Sequence, residues 1–249
     1  MDLHARRADS FGAHAYAYAE HRPDYPVAAV RWALEPLGTD PLDVLDLAAG
    51  TGKLSSVLIA EGHRVTAVEP NEQMLSELVR RVHGVRALPG HAEHIPVPSG
   101  TVDAVLVGQA FHWFDPSKAF PEIARVLRPG GVVAGLWNDI DVSVPWVSSF
   151  NEIARSSVSA ISSPTYEMPD HPLFVSPETA EFPHALRRSS PDDLVATVGT
   201  HSHTIVIPAE ERAELMERML GFLHAQPETS NGPFDVPLVT YVKRLVLAG

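Results

Sequence analysis

The sequence predicts a doubly wound α/β domain built on a mainly parallel sheet. Two patterns carry this expectation. From Leu42 onward, short apolar runs alternate with stretches of helical periodicity, as strand–helix–strand units require. The apolar runs are continuous, which suits strands covered by helices on both faces. Of 249 residues, 45% are hydrophobic and 20% charged, near the globular average. A chain of this size can bury a sizeable core unaided.

The elements follow in order. Leu42–Leu47, bounded by Thr39–Pro41 and Ala49–Gly52, is expected as a buried strand. Lys53–Glu61 places Leu54, Val57 and Leu58 at helical spacing, and Gly62 ends it. Arg64–Val68 follows as a strand. Asn71 can cap a helix running to about His83, with Met74, Leu75, Leu78, Val79 and Val82 on its periodicity. Val85–Pro89, Val102–Val107 and Val132–Trp137 supply the third, fourth and fifth strands. Phe120–Leu127 reads as helix, and Arg128-Pro129-Gly130-Gly131 signals a turn. Ser156–Ser190, with Pro164, Pro169, Pro172, Pro177 and Pro183, reads as a loop-rich insertion, a cap after the fifth strand. Glu210–Leu223 carries Leu215, Met216, Met219, Leu220 and Leu223 on one helix face. Gln226–Phe234 is rich in turn residues, and Leu238–Leu247 reads as the final strand.

Composition narrows the function. Cysteine is absent, which excludes disulfides, thiolate zinc sites and a cysteine nucleophile. Asp+Glu number 31 against 19 Lys+Arg, a formal charge of -12, so long contacts with a polyanionic nucleic acid are disfavoured. No apolar stretch reaches the roughly 20 residues that span a bilayer. The first residues lack the apolar run of a signal peptide, so a soluble cytoplasmic protein without nucleic-acid or membrane partners is expected. His201-Ser202-His203 lacks a third ligand at metal spacing, and no metal is expected.

The informative segment is Asp43–Leu54, DVLDLAAGTGKL. Gly50 and Gly52 stand between a buried strand and a helix. Glycine there permits a sharp turn and close approach of a ligand to backbone, and free helix N–H groups attract anions. Glu69 ends the next strand, at the distance where a carboxylate can accept ribose hydroxyls. A nucleoside triphosphate fits poorly, because Leu47 and Leu54 stand where the phosphate loop needs Gly and Ser/Thr. A nicotinamide dinucleotide fits Gly50-Thr51-Gly52-Lys53-Leu54-Ser55 only in part. Asp46 points to a third ligand, S-adenosylmethionine. A carboxylate inside a strand is costly unless it is engaged, and it can serve an ammonium group or orient loop amides.

With Asp46-Leu47-Ala48-Ala49-Gly50-Thr51-Gly52, the chain resembles class I S-adenosylmethionine-dependent methyltransferases, whose first motif is D/E-x-G-x-G-x-G; Ala48 replaces the first glycine. The resemblance extends through VTAVEPNEQML and GHAEHIPVPSGTVDAV. It implies a Rossmann-like methyltransferase fold in which Asp46, Ala48, Gly50, Gly52, Glu69, Pro70, Met74, Ala92, Glu93, Gln109 and Ala110 bind cofactor. Glu69 would hold the ribose, Met74 would pack near adenine, and Ala92 and Glu93 would bracket the ring. The phrase AFHWFD and the segment FGAHAYAYAEHRPDYP are similar to the subgroup containing trans-aconitate methyltransferases and fungal thiol methyltransferases. By that resemblance the N-terminal segment is a helical lid, with Tyr18 and Arg22 near cofactor or acceptor and Phe11 and Tyr25 at the acceptor.

The implied organisation is a single methyltransferase domain, 1–249: a lid over 1–36, a cofactor-binding core over 37–140, an acceptor-selecting cap with helices over 141–235 and a final strand over 236–249. Ligands of open α/β sheets bind beyond the carboxyl ends of the strands, so His112, Trp113, Trp137 and Asn138 are expected to face the acceptor. His112 and Tyr18 are the candidate catalytic residues, His112 as a base where the acceptor is an alcohol. A thiolate or carboxylate needs little such help. The acidic charge does not attract a polyanionic acid, and the absence of cysteine avoids mixed disulfides with a thiol. Together they favour a thiol of a secondary metabolite as the small-molecule acceptor, with a carboxylic acid as the alternative. A nicotinamide-dependent oxidoreductase and a non-catalytic cofactor-binding fold are the other classes. A monomer or homodimer is expected.

Overall fold

The computed structural model describes residues 22–38, 40–161, 167–199 and 202–249. Phe11 and Tyr18 lie outside the described residues. Helix α1 spans Val27–Leu34. Strand β1 (Asp43–Leu47) leads into α2 (Lys53–Ala60), β2 (Arg64–Glu69), α3 (Glu72–Arg81) and β3 (Arg86–Pro89). Then come β4 (Val102–Gly108), α4 (Pro116–Val126) and β5 (Leu127–Ile140). Helices α5 (Pro145–Ile153) and α6 (Ser157–Ile161) precede β6 (Phe174–Arg188). Helices α7 (Pro191–Gly199), α8 (Ser202–Ile205) and α9 (Ala209–Ala225) lead to β7 (Phe234–Leu247). The fold is the expected doubly wound α/β sheet of Rossmann type.

Two compact units divide the chain. One comprises, among the described residues, 24–38, 40–138, 167–182 and 240–249. In it the strand order is β3-β2-β1-β4-β5-β7-β6. The β3-β2-β1-β4-β5 ladder is parallel throughout, and the order reverses direction at β1. Alternate residues of β4 serve opposite faces. Val105 and Val107 join Leu45, Leu47, Phe111, Phe120 and Ile123. Ala104 and Leu106 join Val30, Leu34, Leu54 and Leu58. Both faces are apolar, which is why the strand reads as an unbroken hydrophobic run.

The other unit comprises, among the described residues, 22–23, 139–161, 183–199 and 202–239. Its core joins Trp146, Val147 and Phe150 of α5, Leu194 and Val198 of α7, and Leu215, Met219 and Leu223 of α9. No helix among the described residues is long and apolar enough to cross a membrane.

Four elements differ from expectation, the first three for an evident physical reason. Helix α4 begins at Pro116, ahead of Phe120, because the Asp115 side chain caps it by accepting from the Ser117 N–H and proline suits a first turn. The Arg128-Pro129-Gly130-Gly131 segment lies inside β5. Pairing steps from Val102↔Leu127 to Ala104↔Val132, so the extra residues form a bulge. A Cβ on Gly131 would sit 2.9 Å from the Asp103 carbonyl oxygen, so glycine is needed there. The proline-rich stretch expected as loop contains β6, a strand at the end of the sheet order. Pro177 and Pro183 are exposed on it. Proline is tolerated at an edge, where its missing N–H breaks no ladder, and it blunts pairing with other chains. The final strand likewise starts at Phe234, ahead of the expected position.

Candidate active site

The parallel pairing brings the carboxyl ends of β1, β2 and β4 to one edge: Leu47 pairs with Val68, and Asp46 with both Ala67 and Leu106. Beyond β1 the chain turns sharply. Ala48 has φ 58°, Gly50 φ 57° and Gly52 φ 86°. The left-handed conformation costs a non-glycine residue roughly 1–2 kcal/mol, so Ala48 is strained where a glycine would not be. Gly52 is required for packing as well as for its φ. A Cβ there would lie 2.6 Å from Val82 Cγ2 and 3.0 Å from Leu78 Cγ, so α3 seats directly on the loop.

Two carboxylates hold this loop. Asp46 is buried, and Ser55 Oγ in the first turn of α2 donates to it at 2.6 Å. Burial pushes its carboxyl up to about 7, against the hydrogen bonds from Ser55. Its engaged partner is therefore the start of α2. Glu69 is buried too. Its Oε2 accepts from Gly50 N–H and its Oε1 from Asn71 N–H, each at 2.9 Å. Burial raises its pKa, while the two N–H donors and the nearby His91 act to lower it. A carboxylate offers about four lone-pair sites. Two hold backbone, and one on each oxygen is left for a diol. Asn71 in turn caps α3 by accepting from Gln73 and Met74 N–H. Met74 is buried on that helix, and Pro70, between Glu69 and Asn71, is exposed.

Ala92 is buried in the core beside β4, and Glu93 is half-buried. Its Oε1 accepts from Asp115 N–H at 3.0 Å, which ties this loop to the start of α4. Beyond β4, Gln109 has φ 58°. Its Nε2 donates to the Asn138 carbonyl at 2.6 Å, and its N–H to the Leu136 carbonyl at 2.8 Å. Ala110 is buried, and residues 111–113 form one 3₁₀ turn. Phe111 points into the core against Phe114 and Phe120, which leaves His112 and Trp113 half-buried with ring centroids 4.7 Å apart. The Nδ1 of His112 is buried.

The expected acceptor wall fares differently. Asn138 is committed elsewhere: Nδ2 donates to the Asp24 carbonyl at 3.2 Å and Oδ1 accepts from Thr240 Oγ1 at 2.6 Å. Its amide braces the fold through one N–H and one lone pair. Trp137 is buried, its ring lying over Gly135, where a Cβ would fall 2.3 Å from Cη2. It lines an open cavity of about 650 Å³ with Met168, Tyr241 and Lys243. Tyr25 is buried against the end of β4: a Cβ on Gly108 would meet its Oη at 2.5 Å. Arg22, with its Nε buried, belongs to the second unit. Ser55, Asp24 and Thr240 were not singled out from the sequence. Ser55 had a signal, standing a helical turn beyond the glycines, whereas Thr240 had none.

The loop fits an adenosyl cofactor. A Cβ on Gly50 would meet nothing within 4 Å, so there is room above it. Thr51 is buried within the loop, and its Oγ1 has no hydrogen-bond partner among the described residues. With the open lone pairs of Glu69, these groups suit a ribose and a zwitterionic tail.

The comparisons agree. The family described as "Methyltransferase domain" matches residues 45–135. An uncharacterized methyltransferase of Mycobacterium tuberculosis is 38% identical over 240 residues, covering 96% of each chain. The solved structure of a candidate type II methyltransferase from Anaeromyxobacter dehalogenans has a TM-score of 0.66 and 25% identity, covering 91% of this chain and 97% of that one. A malonyl-[acyl-carrier protein] O-methyltransferase of Methylococcus capsulatus is 38% identical over 106 residues, covering 39% of this chain and 38% of that one. Fold, loop and relatives together make this chain a member of the class I S-adenosylmethionine-dependent methyltransferases.

Proposed function

We propose that the small molecule this enzyme methylates is an oxygen nucleophile, in the first place a carboxylic acid. The observation that carries this is the likeness of a stretch of 106 residues to an O-methyltransferase named for a malonyl group, which as a thioester has one free carboxylate. The thiol acceptor favoured by composition gives way, since none of the relatives named here acts on a thiol by its name. The subgroup with trans-aconitate methyltransferases stays within the proposal for the same reason.

When bound, S-adenosylmethionine would supply an electrophilic sulfonium methyl, with neutral S-adenosylhomocysteine as the leaving group that keeps the electron pair of the broken S–C bond. The chain's own residues bind and orient. Glu69 would accept the ribose hydroxyls, Gly50 and Thr51 would let the tail approach backbone, and the turn at Gln109–Ala110 would set the floor beside them. Alignment and exclusion of water then carry most of the rate. A carboxylate arrives ionised at neutral pH, so no base is required. Between Gly108 and Phe114 the one titratable side chain is His112, and this reading assigns it to the pocket wall.

The test is a panel of carboxylic acids, phenols and thiols incubated with cofactor, with product mass and S-adenosylhomocysteine both measured. Acids are expected to gain a methyl that mild alkali removes as methanol, and His112→Ala to keep at least a tenth of the rate. Turnover of thiols alone would overturn the proposal. A loss on the order of 100-fold in His112→Ala would restore it as general base and point to a hydroxyl acceptor.

A further inference from the structure

The final strand carries a residue that bears on the cofactor site through a relay. Thr240 on β7 is fully buried, and its Oγ1 donates to Oδ1 of Asn138 at 2.6 Å. On the other side of the same amide, Nδ2 donates to the Asp24 carbonyl at 3.2 Å. Held from both sides, Asn138 presents its backbone carbonyl to Nε2 of Gln109 at 2.6 Å. Asp24 precedes Tyr25, whose ring closes over Gly108. The last residue of β4 and the left-handed residue after it are thus both set from Asn138, one by a ring and one by a hydrogen bond.

We propose that Thr240 is a positioning residue for methyl transfer: its hydroxyl, acting through Asn138, holds the Gln109 turn in the geometry that receives the cofactor. The argument is one of over-determination. A non-glycine residue persists in the left-handed region only while its surroundings hold it there. Here Gln109 is held by two backbone carbonyls, those of Leu136 and Asn138, and by the Tyr25 ring on Gly108 beside it; the Asn138 side-chain amide, which anchors Asp24 ahead of that ring, is free to turn about its terminal torsion once the Thr240 hydroxyl is lost. Valine in place of Thr240 keeps the shape but leaves the buried Oδ1 without this donor. The strain at Gln109 can then relax by moving the turn.

The test is calorimetric titration of the full chain with S-adenosylmethionine and S-adenosylhomocysteine, at a temperature where circular dichroism shows every variant folded. Thr240→Val is expected to weaken binding about fivefold, and Thr240→Ser to stay within twofold of the parent. In a Gln109→Ala background, adding Thr240→Val is expected to change affinity less than twofold, because coupled residues are not additive. Gln109→Met, which removes the Nε2 donor at the far end of the relay, is expected to match Thr240→Val. If Thr240→Val fails to fold, Thr240→Ala takes its place in the same comparison. Parental affinity in Thr240→Val with only a lowered melting temperature would reduce Thr240 to a structural residue and overturn the proposal. Fully multiplying effects in the double variant would overturn it as well.

Discussion

The ends of β1 and β4 stand side by side, and each leaves its strand through a non-glycine residue at φ 58°. They are held in place by opposite chemistry. Beyond β1 the clamps are buried carboxylates, Asp46 on Ser55 and Glu69 on Gly50 and Asn71. Beyond β4 they are neutral: the carbonyls of Asn138 and Leu136, and the Tyr25 ring on Gly108. The first end answers to pH and to loss of charge. The second answers to shape.

The sharpest way to break the β1 end is Glu69→Ala. It strands two backbone donors and removes the acceptor for the ribose, and each buried orphan costs about 1–3 kcal/mol. Affinity for S-adenosylmethionine is expected to fall on the order of 100-fold by calorimetry, with Glu69→Gln intermediate. The β4 end breaks by bulk. Gly108→Ala puts a Cβ 2.5 Å from Tyr25 Oη, and overpacking of this kind costs about 2 kcal/mol. A lowered midpoint in thermal unfolding is expected, partly recovered by Tyr25→Phe, which removes the nearest atom.

The contrast in charge gives a smaller effect. Asp46 ionises near 3.8 when exposed and at about 7 in the fold. An acid raised in this way binds its proton more tightly in the folded state. Its contribution to stability is therefore full below pH 4 and is lost as pH rises to 7. Asp46→Asn is expected to flatten denaturant-measured stability across that window by roughly 1 kcal/mol or more. An unchanged pH profile would show that Ser55 alone offsets the burial of this carboxylate.

The same contrast explains what the sequence made legible. The β1 end is built from contiguous residues, Asp46 through Ser55, with Glu69 and Asn71 on the next strand and helix. Its glycines and carboxylates stand at spacings that local geometry imposes, so motif reading finds them. The β4 end is assembled from Asp24, Tyr25, Asn138 and Thr240, residues as far as 216 positions apart in number. Nothing local marks Thr240 apart from any other buried threonine. Asn138 is legible as a residue at a strand end, but its bonds to Asp24 and Thr240 are not, because those partners stand far away in the chain. The β6 strand was missed for a different reason. Its prolines argue against a central strand, and only the tertiary position at an edge makes them tolerable.

The Asn138 backbone carbonyl that holds the Gln109 side chain has a consequence for cutting and grafting. A fragment trimmed to the stretch that defines the family, residues 45–135, would keep every glycine and carboxylate of the first loop. It would also carry Gln109 without any of its side chain's support. A transplanted minimal core would therefore inherit the recognisable half of the site and lose the half that keeps its neighbour in shape.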